Sequence, residues 1–203
     1  LADEFRLAKR ALLRRFQRTH PRRRVLAITS ALAGEGKSFS SLHVSLSLAL
    51  ERDVTVLLVD ADTPHPTLTR AFGCEGTPGL LDCLERGLHL EDAVRATSVD
   101  RLWFLPTGSA EQGASELLSS PQSATLLEAA QARFRNLVVV IDTAPLLLTV
   151  EARAAADLAT QTLLVVHAGS TPEAAILQAL DGLGEEQDVQ LLLNRHRPTP
   201  LDG

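Results

Sequence analysis

An α/β fold with a doubly wound, mostly parallel sheet flanked by helices is what this 203-residue sequence predicts, and three features predict it. Short apolar runs recur with helix-like stretches between them, most of the runs lack polar alternation, and acidic residues or a glycine-rich turn stand at their ends. Alternating strands and helices build a parallel sheet with helices on both faces. Strands buried on both sides have no polar face to show, and in such sheets ligands bind at the carboxyl ends of the strands.

The first run, Val25–Ile28, leads through small residues into Gly34-Glu35-Gly36-Lys37-Ser38, and Ser40–Leu50 then reads as helix. Strand, glycines and helix in this order are what a phosphate-binding loop requires. Gly34 and Gly36 let backbone N–H groups turn toward phosphate oxygens, and the helix presents its positive dipole end. Lys37 neutralises the outer phosphates, and Ser38 offers a hydroxyl to Mg²⁺. Lys37 is one of only two lysines in a chain otherwise rich in arginine, and a compact ammonium suits the loop where a planar guanidinium would not. The full pattern G-x-x-x-x-G-K-[ST] wants glycine at Ala31, so the match is imperfect, and an ordinary strand-to-helix turn is the competing reading. The loop predicts a P-loop NTPase and a nucleotide ligand; it does not name a reaction.

The remaining runs are Val54–Val59, Leu102–Leu105, Leu137–Ile141, Leu163–Val166 and Val189–Leu193. Val54–Val59 ends in Asp60-Ala-Asp62, whose spacing of two directs both carboxylates to one side if the chain stays extended. Leu137–Ile141 ends in Asp142, and the last run closes on Asn194. A bare carboxylate at the end of a buried strand is costly unless solvated, paired or bound to metal. Any one of them alone could be a turn or capping Asp. Beside a phosphate loop, Asp142 is expected to hold Mg²⁺ through a water, with Asp60 and Asp62 dividing metal binding and activation of an incoming hydroxyl in an order that stays open.

At 45% hydrophobic, the chain can bury one core. No apolar run approaches the roughly 18–20 residues of a membrane span, and no signal peptide is recognisable. Cys74 and Cys83 are too few for a disulfide framework and match no metal spacing, so they read as reduced thiols in a cytoplasmic protein. Net charge is −5, yet residues 1–24 hold nine Lys/Arg against Asp3 and Glu4. This divides the chain into a basic N-terminal arm, 1–24, and an acidic body, 25–203. Arg14, Arg15, Arg18, Arg22, Arg23 and Arg24 could face anionic lipid or an acidic partner, or simply form a solvated helix face. The acidic body argues against a general nucleic-acid binder. Leu1 at the start and the absence of methionine suggest a processed or excised piece.

Together, Gly34-Glu-Gly-Lys-Ser38, Leu57-Leu-Val-Asp-Ala-Asp62 and Val138-Val-Val-Ile-Asp-Thr143 resemble the three ATP motifs of the bacterial tyrosine kinases of capsule and exopolysaccharide synthesis. The resemblance continues through Pro78-Gly-Leu-Leu-Asp82, Leu105-Pro-Thr-Gly108, Ser115-Glu-Leu-Leu-Ser-Ser120 and Leu192-Leu-Asn194. Within that family the exosortase-associated subgroup is the most similar, through Asp3–Arg10, Pro145–Arg153 and Ala168-Gly-Ser-Thr-Pro-Glu173. The resemblance implies ATP and Mg²⁺ as cofactors, with Gly34, Glu35, Gly36, Lys37, Ser38, Phe39 and Asn194 at the nucleotide. It implies Lys37, Asp60 and Asp62 in catalysis and Ser38, Asp62 and Asp142 at the metal. It also implies a protein-tyrosine substrate and a membrane-embedded polysaccharide chain-length regulator that would place the chain at the inner face of the bacterial inner membrane. Asp3, Arg6 and Lys9 match a charged element used in ring-like self-association; at i, i+3 and i+6 they suit a surface contact, or else local helix charge pairs.

The sequence also departs from the family. Ala31 replaces a loop Gly or Ser, Ala144 a common Pro, and His43 a common Asn in the helix after the loop, where it reads as packing or bonding locally. There is no tyrosine, so this chain cannot phosphorylate itself on one. The first expectation is therefore a tyrosine kinase acting on another chain. A second is a non-catalytic, ATP-gated assembly module. A third, a partitioning-type ATPase, wants a signature lysine five residues before Lys37, where Leu32 stands.

Overall fold

All six apolar runs form strands, and one short strand joins them. The structure is a computed structural model that describes residues 2–19, 23–110, 113–184 and 187–195, the side chains of 2–4 and 19 excepted. Its elements run α1 (Ala2–Thr19), β1 (Val25–Ser30), α2 (Lys37–Ala49), β2 (Thr55–Ala61), α3 (Thr67–Ala71), α4 (Leu80–Arg86), α5 (Leu90–Ala93), β3 (Arg95–Ala96) and β4 (Leu102–Leu105). They continue α6 (Ala114–Leu118), α7 (Pro121–Arg133), β5 (Leu137–Thr143), α8 (Val150–Asp157), β6 (Gln161–His167), α9 (Glu173–Asp181) and β7 (Asp188–Asn194).

The strand order is β3-β4-β2-β5-β1-β6-β7. Every pairing is parallel except β3 with β4. β1 and β5, at the centre, are buried at every residue, as their unbroken apolar sequences require. β7 lies at the edge, and its Leu191 and Leu193 are exposed. β3 is two residues long, too short to leave a pattern in the sequence.

Side-chain alternation sorts the core into two faces. Leu26, Ile28, Val56, Leu58, Val138 and Val140 point toward α1 and α2. Leu57, Val59, Val139 and Ile141 point the other way, into a cluster with α4, α6 and α7. The basic arm is part of the first face: Phe5, Leu12 and Phe16 fall on one stripe of α1 and are buried with β1 and β2. Each such side chain contributes about 1.5–3 kcal/mol on burial. The charge boundary at residue 24 is thus crossed by a shared core. Arg15 adds a fork onto Asp188 of β7, its Nε donating to Oδ2 at 2.6 Å, while Arg10, Arg14 and Arg18 lie exposed along the outer side of α1.

Candidate active site

The loop from β1 into α2 is built on backbone that glycine permits. Gly34 and Gly36 have φ of 79° and 96°, in the left-handed region. Gly36 is also confined: a Cβ there would stand 2.1 Å from Asn194 Nδ2. Helix α2 starts at Lys37, three residues before the expected Ser40, so Lys37 and Ser38 occupy its first turn, where N–H groups have no partner within the helix. Ala31 needs no glycine, because its φ is not positive. It is fully buried in a cluster of small and apolar side chains that includes Ala144, so two of the departures from the family pattern share one packing environment.

Register brings the carboxylates together. Asp60 of β2 and Asp142 of β5 are direct partners across adjacent parallel strands. Alternation turns both to the face covered by α2, which carries Lys37, Ser38 and Ser41. Asp62 is 2% exposed and forms an ion pair with Lys37, its Oδ2 accepting from Nζ. Asp142 is fully buried; Ser41 Oγ donates to its Oδ1 at 2.9 Å, whereas Oδ2 has no hydrogen-bond partner among the described residues. Burial pushes the Asp142 carboxyl up to about 7, against the opposing pull of Lys37 and of the Ser38 and Ser41 hydroxyls.

Asp60 is held differently. Its Oδ2 accepts from Thr69 N at 2.7 Å and Thr69 Oγ1 at 2.8 Å, and its Oδ1 accepts from Asp62 N at 3.3 Å. Thr107 Oγ1 donates to the Asp60 carbonyl at 3.1 Å, and Thr107 N to Thr69 Oγ1 at 3.0 Å. Burial raises the Asp60 carboxyl above its ordinary range, and the Thr69 and Asp62 donors oppose the rise. The carboxylate therefore anchors α3 to the exit of β2, and Thr107 ties the exit of β4 to the same point. That exit is pinned in turn: Leu80 N and Leu81 N donate to Pro106 O and Thr107 O, and Asp82 Oδ2 accepts from Gly79 N and Ser109 N. The segments Pro78–Asp82 and Leu105–Gly108, singled out separately in sequence, are one contact in space.

The other predicted residues lie around the loop. Glu35 is 3% exposed, with both carboxylate oxygens bonded within the chain. Asn194, at the end of β7, donates from Nδ2 to Glu35 O at 2.8 Å. Phe39 is exposed and packs at a tilt against His43, whose ring stacks on Phe5 of α1 and whose Nδ1 lies 2.8 Å from Phe39 O. His43 thus packs and bonds locally. Lys9 is buried rather than on the surface, and its Nζ reaches Glu51 Oε1 at 2.5 Å because the α1 stripe that carries it faces α2. Arg6 is exposed; the side chain of Asp3 lies outside the described residues. Leu32, at the signature-lysine position, packs against the Ala27–Ala31 cluster.

Four side chains of this region carry contacts to which the sequence assigned no role. Ser41 follows Lys37 by one helical turn, which is a usable signal. Thr69, Thr107 and Thr171 reach the site only through the fold, and no local spacing marks them.

A glycine-turned loop, a lysine in the first turn of a helix and a trio of carboxylates at adjacent strand exits define a P-loop NTPase. No protein-family model matches the chain. The tyrosine kinase domain of BceF matches with a TM-score of 0.78 at 30% identity, over 94% of this chain and 76% of that one. The tyrosine-protein kinase YwqD of Bacillus subtilis (strain 168) is 34% identical over 156 residues, 77% of this chain and 65% of YwqD. The succinoglycan biosynthesis transport protein ExoP of Rhizobium meliloti (strain 1021) is 36% identical over 160 residues, 77% of this chain but 20% of ExoP. The matched segment spans just under two thirds of YwqD and about a fifth of ExoP. This chain belongs to the bacterial tyrosine kinase family.

Proposed function

We propose that the chain is an ATP-dependent protein-tyrosine kinase domain that serves exopolysaccharide or capsule synthesis. The observation that carries the reading is the placement of Lys37, Ser38, Asp62 and Asp142 at the exits of β2 and β5, beside a loop turned by Gly34 and Gly36. The family and the succinoglycan role printed for ExoP support the pathway.

The residues fit a Mg·ATP complex. Among the described residues no group of three or more His, Cys, Asp or Glu could hold a metal unaided. Mg²⁺ does not ask for one, since it keeps several waters and takes phosphate oxygens alongside one or two carboxylates. The unpartnered Asp142 Oδ2 and the Ser38 hydroxyl are the atoms that would hold it, which leaves Asp62 outside the metal's shell. When bound, it would neutralise charge on the β- and γ-phosphates.

Lys37 exchanges Asp62 for phosphate oxygens as ATP enters, which frees Asp62 for its role at the reacting end. A tyrosine hydroxyl of another chain attacks the γ-phosphorus; the bond to the bridging β–γ oxygen breaks, ADP leaves, and the hydroxyl proton passes to a carboxylate at the site. Asp62 is the better placed acceptor, because the three donors on Asp60 fix it as a brace for the strand exit. Catalysis is then positioning and charge stabilisation. The loop amides and Gly36 seat the phosphates.

The chain-length regulator of the membrane, a homo-oligomer and a location at the inner membrane belong to the same proposal; among the described residues no helix is long and apolar enough to cross a membrane. Phosphate transfer from ATP to a tyrosine-bearing acceptor, with and without the regulator's cytoplasmic segment, tests it. Tight Mg·ATP binding with no transfer under either condition would leave the assembly module. An oligomer that grows with ATP and shrinks with ADP would then be its signature.

A further inference from the structure

Glu35 lies in the middle of the phosphate loop, yet its side chain is fully engaged inside the protein. Oε2 accepts from Leu32 N at 2.8 Å, and Oε1 accepts from the hydroxyl of Thr171. Thr171 belongs to the turn between β6 and α9, remote in sequence from the loop. Its own position is fixed: Oγ1 accepts from His167 N at 2.9 Å, and its N–H donates to His167 O at 3.0 Å. From the next strand, Asn194 Nδ2 donates to the Glu35 carbonyl. One loop residue is therefore held from the exits of both β6 and β7.

A buried carboxylate that accepts from neutral donors is sensitive to losing any of them, because the freed oxygen has no water to turn to. Here the strain of such a loss would fall on the Leu32 amide and the 32–36 backbone, whose curvature decides where the loop amides point. Thr171 has no hydrogen bond to Lys37, Ser38, Asp60, Asp62 or Asp142 among those described, so it would act only through Glu35.

We propose that Thr171 is a positioning residue for nucleotide binding: its hydroxyl fixes the Glu35 carboxylate, which fixes the phosphate loop. This rests on reading the loop as an ATP site. It assigns the β6–α9 turn a part in the site, and it gives Glu35 an internal role in place of a direct contact with the nucleotide.

The test is the affinity of the full chain for ADP and ATP with Mg²⁺, measured calorimetrically for wild type, Thr171→Val, Thr171→Ala, Thr171→Ser and Glu35→Gln. Thr171→Val and Thr171→Ala should weaken binding about tenfold, the scale of one lost hydrogen bond to a charged group. Thr171→Ser should restore it to within about twofold. In a kinase assay KM for ATP should rise while kcat holds. Because the residues act as one unit, Glu35→Gln combined with Thr171→Val should be no worse than the weaker single variant. Wild-type affinity in both Thr171→Val and Thr171→Ala, or effects of Glu35→Gln and Thr171→Val that add, would overturn the proposal. A melting temperature that falls in Thr171→Val with nucleotide affinity intact would also overturn it, by reducing Thr171 to a stabilising contact. If wild type itself binds no nucleotide, the ATP-site reading fails, which is a different result from a binding wild type with an indifferent Thr171.

Discussion

The two faces of the sheet share an apolar body and differ at the strand exits. At the exits toward α2 the strands present Asp60 and Asp142, and the helix carries buried Ser38, Ser40, Ser41 and Ser45, while Ser47 donates to Phe5 O of α1. Ser40 Oγ and Ser45 Oγ have no hydrogen-bond partner among the described residues. On the other face Leu57, Val59, Leu80, Leu105, Leu118 and Ile141 meet around an apolar cavity. Buried polar groups cost stability unless satisfied, so a face that accumulates them at the strand exits holds them for chemistry. The apolar clusters on both faces supply the stability that this requires.

The largest effect expected from breaking this contrast is on the apolar side. Leu105→Ala removes a fully buried side chain beside an existing cavity and should cost about 2–5 kcal/mol in denaturant unfolding. Its folded fraction should bind nucleotide as wild type does; a comparable loss of affinity would merge the two faces into one role. Next in size, Lys37→Ala should weaken Mg·ATP about a hundredfold, by removing the charge-assisted contact to phosphate, and it should also lower the urea midpoint of the nucleotide-free chain, because the buried Asp62 carboxylate loses its ion-pair partner.

Asp142→Asn sharpens the contrast further. The nucleotide-free protein should gain roughly 0.5–2 kcal/mol, because a desolvated carboxyl is replaced by a neutral amide, while Mg²⁺-dependent nucleotide binding disappears. Destabilisation together with intact Mg²⁺ dependence would place Asp142 in the scaffold. The smallest effect concerns pH. Burial, helped by Asp82 and Asp92, pushes the Cys83 thiol up to about 11. The unfolded chain ionises this thiol near its ordinary 9.0 and the folded chain does not. Its contribution is therefore complete below about pH 9 and fades as pH rises through about 11, costing about 1 kcal/mol by pH 10. Cys83→Ala should flatten stability over that window, measured by urea unfolding at stepped pH.

How much of this was legible beforehand follows from the range of each signal. Strands announced themselves because burial on both sides forces continuous apolar runs, and all six were found; β3 was missed because two residues carry no period. Lys37, Asp60, Asp62 and Asp142 were legible because each stands at the end of such a run. Nothing in sequence could separate Asp60 from Asp62, since the difference lies in Thr69 and Thr107, brought in by α3 and β4. Lys9 suited the surface by spacing alone, but its stripe also carries Phe5, Leu12 and Phe16, and that apolar stripe decides which side of α1 is buried. Thr171 was quoted for its resemblance only, because its partner Glu35 is 136 positions away.

The most direct measurement is mass-spectrometric detection of phosphotyrosine on a tyrosine-bearing acceptor incubated with this chain, Mg²⁺ and ATP, alongside the Lys37→Ala and Asp62→Asn variants. Phosphotyrosine formed by wild type and lost in both variants is the predicted result. An acceptor left unmodified by a wild-type chain that binds Mg·ATP, with the regulator's cytoplasmic segment present, would contradict the assignment as a tyrosine kinase.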